Sequence, residues 1–149
     1  MSNRKLEKLS ADLELLANDF ANTYTKLINK FKTYSSAPEI NKLEEYWGMA
    51  VTLLGKRGTI IEMIDYFIKY KDLILNEKVD ELLDMDFTSE IKPGTQTETA
   101  NLITKLIDIF KTSWKQANQI DQIHIKTYIK MITTKSISIK NILNEIEQV

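Results

Sequence analysis

The first 37 residues contain neither glycine nor proline, and their apolar side chains recur with the period of an α-helix. Consecutive apolar positions are three or four residues apart, with a mean step of 3.5, so they share one side of a helix. These positions are Leu6, Leu9, Leu13, Leu16, Phe20, Tyr24, Leu27, Phe31 and Tyr34. The spacing predicts a long first helix over about residues 4–34.

This apolar stripe has two interpretations. It can form the inner side of the first helix of an up-down bundle, or it can pair with a second copy or another protein. The residues beside the stripe show no alternating code of opposite charges, which weakens the case for a coiled coil. The residues that would bind a partner under the second interpretation are Leu6, Leu9, Leu13, Leu16, Phe20 and Leu27.

Turn signals divide the next part of the chain into further helices. Ser36 and Glu39 form a capping box, which predicts the start of a second helix. The segment 55–59 (GKRGT) predicts a turn between two helices, with Thr59 and Glu62 as a second capping box.

A short acidic helix and an exposed loop are predicted in the middle of the chain. Asn76 can cap the acidic helix, which would end at Asp84. Residues 86–99 lack helical spacing and contain the turn dipeptide Pro93-Gly94, so they predict the longest loop.

Helical spacing returns in the last third of the chain. Ile120, Ile123, Tyr128, Ile129 and Ile132 continue this pattern, and we assign them to its buried side.

One alternative concerns residues 123–126 and 137–140, which alternate with period two and are rich in β-branched residues. They could pair as a β-hairpin. We favour helices because the residues between them keep a helical step and offer no glycine for the turn. The whole pattern predicts an all-α fold with one domain over residues 1–149, a bundle of five to seven helices with a long N-terminal helix.

Composition excludes several kinds of chemistry. The chain has no cysteine and a single histidine, His124, so it offers no thiol nucleophile, no disulfide and no site with two imidazoles. It also has no complete phosphate-binding loop and no Gly-x-Ser-x-Gly motif. We therefore predict a protein that is not an enzyme, with no catalytic residue, no metal site and no cofactor. Carboxylate chemistry around Asp80, Asp84 and Asp86 is the enzymatic alternative.

The sequence contains no signal for export or membrane insertion. Charged residues interrupt the apolar positions of the first segment, and no window approaches 18 uncharged apolar residues. We expect an intracellular protein without a membrane span.

Charge is distributed unevenly, although the net charge is only −1. Residues 76–90 carry six acids and one lysine, whereas residues 111–140 carry six lysines and one aspartate. Lysines four residues apart share one helix face. They could contact backbone phosphates of a nucleic acid without recognising its base sequence. The chain has only two arginines, which argues against a dedicated nucleic-acid binder. The candidate anion or nucleic-acid contacts are Lys56, Arg57, Lys111, Lys115, Lys126 and Lys130.

A pattern near the C-terminus resembles that of a known group. Phe110-x3-Trp114-x6-Asp121-x6-Tyr128-Ile129-x2-Ile132 is similar to the closing pattern of small helical proteins of nucleocytoplasmic large DNA viruses. The abundance of lysine, isoleucine and asparagine is also similar to that group. The resemblance implies a virus-encoded structural or regulatory accessory protein that is packaged in the virion, and it transfers no functional residue.

These observations predict a non-enzymatic structural or interaction component that associates with itself or docks on a larger assembly. The aromatic surplus supports this prediction, because aromatic side chains dominate protein interfaces. The alternative is an accessory protein that associates weakly with nucleic acid through the lysine-rich face of residues 111–140.

Overall fold

The computed structural model describes residues 2–35, 38–85, 94 and 97–148. These residues form six helices and no strand: α1 (Ser2–Lys32), α2 (Pro38–Lys69), α3 (Lys71–Leu75), α4 (Val79–Asp84), α5 (Thr97–Gln116) and α6 (Gln119–Glu147). The predicted all-α fold with a long N-terminal helix is confirmed. Ser36 of the first capping box and most of the predicted loop lie outside the described residues.

The two longest uninterrupted helices, α1 and α6, pack against each other and run antiparallel. The Lys30 Nζ near the end of α1 lies 2.8 Å from Asp121 Oδ1 near the start of α6. Farther along α6, the Lys135 Nζ lies 3.5 Å from Asp19 Oδ2 in the middle of α1. Among the remaining helices, α2 contacts both members of this pair, α5 contacts α1, and α3 contacts α6.

One cluster of buried apolar residues draws on all six helices. It contains Leu13, Ala17, Phe20, Ala21, Leu27 and Phe31 of α1, Ile40, Ile60 and Ile64 of α2, Ile74 of α3, Val79 and Leu82 of α4, Ile109 and Trp114 of α5, Ala117, and Ile125, Ile129, Ile132 and Ile139 of α6.

Two buried hydroxyls also lie on the inner side of α6. Thr133 and Ser136 each donate a hydrogen bond of 2.8 Å to the carbonyl four residues earlier, so both are satisfied within the helix.

The apolar stripe of α1 supplies this core. Leu9, Leu13, Phe20 and Leu27 are buried against the rest of the same chain, and Leu16 is half-buried. Leu6 is the exposed member of the six proposed partner contacts. The idea that the stripe binds a partner must therefore be corrected: four of its six residues are already covered intramolecularly and offer no surface.

Gly55 divides α2 into two helical segments. Its φ of 76° and ψ of 161° are non-helical and lie in a region that only glycine adopts readily. A break is therefore present at Gly55, whereas residues 56–59 of the predicted turn are helical. Thr59 does not cap the second segment, because it is buried within the helix and its hydroxyl donates to the Gly55 carbonyl at 3.0 Å.

Two further local predictions need correction. Asn76 does not cap the acidic helix; it ends α3, and its side chain donates to the Asp72 carbonyl at 2.7 Å. Helix α4 begins at Val79 without a side-chain cap. The hairpin alternative is also wrong, since residues 123–126 and 137–140 both belong to α6.

Candidate functional site

The side of α6 that faces away from the core is uncharged and partly apolar over four turns. Ile120 is 67% exposed, Ile123 is 56% exposed and Met131 is 41% exposed. Thr127 and Thr134 are exposed at positions that share this side of the helix. We name these five residues the α6 outer face.

Helical geometry separates the outer face from the buried residues of the same helix. At 3.6 residues per turn, Ile123 and Thr127 point nearly opposite to Ile125 and Ile129, which are buried. Single exposed apolar residues are ordinary on protein surfaces, whereas neighbouring ones on an uncharged stripe make the outer face a candidate contact surface.

Cations border the outer face on both sides. Lys126 and Lys130 lie along one edge, and His124 and Lys135 lie along the other. From residue 122 to residue 144 the chain has no aspartate or glutamate. The positive charge beside the outer face therefore comes from α6 itself, and the acids that face it come from elsewhere: Glu77 faces Lys130, and Asp19 faces Lys135.

All three of these lysines have contacts with other side chains of the same protein. The Lys126 Nζ lies 5.7 Å from the centroid of the Trp114 ring, and Lys130 forms an ion pair with Glu77. The Lys135 Nζ lies 3.5 Å from a carboxylate oxygen of Asp19. These contacts limit the freedom of the ammonium groups and keep them beside the outer face.

A polar junction lies at the N-terminal end of the outer face. The Lys30 Nζ donates to Asp121 Oδ1 at 2.8 Å, and the Tyr34 hydroxyl donates to Asp121 Oδ2. The Asn118 side chain accepts a bond of 2.8 Å from the Asp121 backbone N–H, which makes Asn118 the N-cap of α6. The His124 Nδ1 lies 4.0 Å from Asp121 Oδ1.

This junction shifts the pKa values of its three titratable partners. Hydrogen bonds from Lys30 and Tyr34 lower the pKa of Asp121, because they favour the carboxylate. The same bonds to Asp121 raise the pKa of Lys30 and the pKa of Tyr34. The junction thus ties the end of α1 to the start of α6 and fixes where the outer face begins.

The predicted anion contacts do not form one open row. The Lys56 side chain lies outside the described residues. Arg57 reaches α1, where it lies 3.6 Å from a Glu14 carboxylate oxygen and 3.4 Å from the Ser10 carbonyl. The turn at Gly55 therefore presents its arginine to α1, away from the lysine contacts of α6.

The lysines of α5 and α6 are brought together only in part. Lys126 of α6 lies over the ring of Trp114, which belongs to α5 next to the exposed Lys115. Lys111 donates to the Met85 carbonyl at the end of α4. Lys111, Lys126 and Lys130 all have contacts within the chain, and a phosphate would have to compete with them.

One of the three aspartates of the enzymatic alternative makes a contact that supports packing. Asp80 accepts a hydrogen bond of 2.8 Å from the Trp114 indole N–H, while Asp84 is exposed. Asp86 lies outside the described residues. Asp80 thus fixes the orientation of Trp114, which in turn supports Lys126.

Sequence reasoning placed Ile120 and Ile123 on the buried side, and the structure corrects this. They carry the same residue type as the core isoleucines but fall at different angles around the helix. A helical projection that takes Ile125, Ile129 and Ile132 as the core positions would have separated the two groups.

The chain matches no protein-family profile, no curated protein and no solved structure. In the part of the chain that the structure describes, no helix is long and apolar enough to cross a bilayer.

Proposed function

We propose that this protein is a non-enzymatic interaction component that docks on a larger assembly through the α6 outer face. One observation carries the proposal: Ile120 and Ile123 lie on neighbouring positions of an uncharged helix side, and each is more than half exposed. Covering them would remove apolar area from water, which is the main driving force of protein association.

The charge around the outer face favours an acidic protein partner. A helix or strip with apolar residues at its centre and carboxylates at its edges would match the surface. Its acids would compete with the Trp114 ring for Lys126 and with Glu77 for Lys130. Two copies of this chain facing each other here would instead bring lysines together. The preferred partner is therefore a different protein. If the resemblance to viral proteins holds, that partner would belong to the virion.

Nucleic-acid association is the competing proposal. It would use the same lysines, and its affinity would fall steeply with salt because phosphate contacts release counterions. An acidic apolar partner would lose less affinity in salt, since much of its binding would come from apolar burial.

The test uses a designed helical peptide with a leucine stripe and glutamate edges, a second peptide with lysine edges, and a DNA duplex. Calorimetry of the full chain should show binding to the glutamate peptide alone. The double variant Ile120→Ser, Ile123→Ser should weaken that binding by about tenfold or more. Leu15→Ser is the matched control, because Leu15 is 65% exposed on α1 and lies outside the outer face.

Two results would overturn the interaction proposal. The first is a glutamate peptide that fails to bind, or that binds the double variant as well as the parent. The second is salt-sensitive binding of the duplex with no binding of the glutamate peptide, which would support the nucleic-acid function instead.

A further inference from the structure

A cavity of about 500 Å³ lies between the C-terminal half of α1 and the other five helices. Its described lining residues are all aliphatic or aromatic, and none carries a charge. Tyr24 and Ile28 belong to one wall, and Tyr66, Leu83 and Ile107 belong to others. The cavity uses none of the residues of the α6 outer face.

This volume is larger than an ordinary packing defect. The cavity is partly open to solvent at Tyr66, and its volume lies within the range of about 300 to 1,000 Å³ that is typical of pockets for small ligands. Residues of all six helices line the cavity, so it is a feature of the bundle as a whole.

Aromatic contacts give the walls a defined shape. Phe31 and Phe110 pack with ring centroids 4.6 Å apart, and both line the cavity. Phe67, another lining residue, makes an edge-to-face contact with the buried Phe20 at 5.9 Å. Because these rings are held by partners, they are poorly placed to rotate into the empty volume.

The polarity of the interior restricts what can enter. Burial raises the pKa of Tyr24 to about 12, which indicates surroundings that disfavour charge. A buried polar group of a ligand would lose its hydrogen bonds to water and find few replacements on these walls. A polar end can stay near the rim, where Tyr66 is 46% exposed and the Lys69 Nζ lies 5.4 Å from the Tyr70 ring centroid.

We propose that this cavity binds the hydrocarbon part of a small amphiphilic molecule, with the polar end of the ligand at the rim beside Tyr66 and Tyr70. The ligand could be a free fatty acid or a neutral long-chain alcohol, because the hydrocarbon part is common to both. This function goes beyond partner docking through α6 and does not depend on it.

The test uses dodecanoate and 1-dodecanol as probes, below the concentrations at which they aggregate. Calorimetry should show saturable binding of at least one probe to the full chain, and the bound probe should raise Tm. Ile107→Trp places a larger side chain at the cavity wall and should weaken binding about tenfold or more. Leu15→Trp is the matched control on an exposed site and should bind as the parent does.

A second measurement tests the proposal without a substitution, in case Ile107→Trp does not fold. Proton NMR of the parent with bound probe should show contacts from the probe chain to the rings of Phe31 and Phe110. Binding of dodecanoate alone would assign an anionic polar end, and equal binding of both probes would assign the hydrocarbon as the main determinant. Absence of saturable binding by both probes would overturn the proposal, as would probe contacts confined to Ile120 and Ile123.

Discussion

Helices α1 and α6 are partners of similar length, yet they use their apolar residues differently. In α1, most apolar positions of the stripe face the core, and the exposed Leu15 stands alone on a side that also carries Asp12 and Asp19. In α6, apolar residues occupy two sides: Ile125 and Ile132 are fully buried, whereas the outer face is exposed.

The difference separates two uses of an amphipathic helix. A single apolar side bounded by charges is fully explained by folding of the chain itself. A second, uncharged side is not needed for that folding, and leaving it in water costs solubility without stabilising the core. On this argument, α1 is a structural helix, and α6 combines a structural side with the side that we propose binds a partner.

The largest expected loss of stability comes from a substitution on the inner side of α1. Phe20 is completely buried and packs against Phe67. Phe20→Ala should lower the free energy of unfolding by about 3–5 kcal/mol, because the lost apolar contacts leave a cavity. Chemical denaturation followed by circular dichroism measures this change. Leu15→Ala on the exposed side should stay within about 0.5 kcal/mol of the parent, and a similar loss for both would contradict the assignment of the two sides.

A smaller effect is expected at the start of α6. The Asn118 side chain caps the helix by accepting the Asp121 N–H. Asn118→Ala should therefore cost about 0.5–2 kcal/mol of stability. Asn118→Asp is the matched control, since aspartate caps as well as asparagine does and should preserve most of the stability. If alanine and aspartate gave the same loss, the cap would not be the cause.

The smallest effect concerns the junction between α1 and α6, and it depends on pH. The pKa of Asp121 is lowered in the folded protein, so its bonds stabilise the fold above its unfolded pKa of about 3.9. This contribution is lost as pH falls through the lower folded pKa. Asp121→Asn should therefore reduce Tm at pH 7, and the difference from the parent should shrink in acid.

Thermal unfolding from pH 7 to pH 2 measures this dependence. Asp19→Asn is the matched control, because Asp19 pairs with Lys135 at 3.5 Å on the exposed surface and should matter less. A difference between Asp121→Asn and the parent that stays constant with pH would contradict the proposed role of the carboxylate.

Secondary structure was predictable from the sequence where the apolar residues follow a single helical period. The first 37 residues have no helix breaker and one consistent spacing. The existence of α1 and the residues that share its apolar side were therefore predictable, but not whether that side faces the core or a partner. The same reasoning located Gly55 as a break, since a glycine between helical patterns commonly marks a turn. It failed at Thr59, because capping depends on where the helix begins, and the helical segment begins closer to Gly55.

Other features depend on three-dimensional packing and leave weak sequence signals. The alternation of residues 137–140 resembled a strand, yet packing of Ile132 and Ile139 into the core stabilises a helix. The two sides of α6 contain the same residue type, so composition could not distinguish them. The cavity was not predictable, because its volume is what remains after six helices have packed.

The most direct test of the account compares the two sides of α6 within one helix. The free energies of unfolding of Ile132→Ala and of the double variant Ile120→Ser, Ile123→Ser should be measured at two protein concentrations. We predict a loss of about 2–5 kcal/mol for Ile132→Ala and a change of about 1 kcal/mol or less for the double variant, independent of concentration. A loss of several kcal/mol for the double variant would show that the outer face is already buried in the protein and would contradict the account.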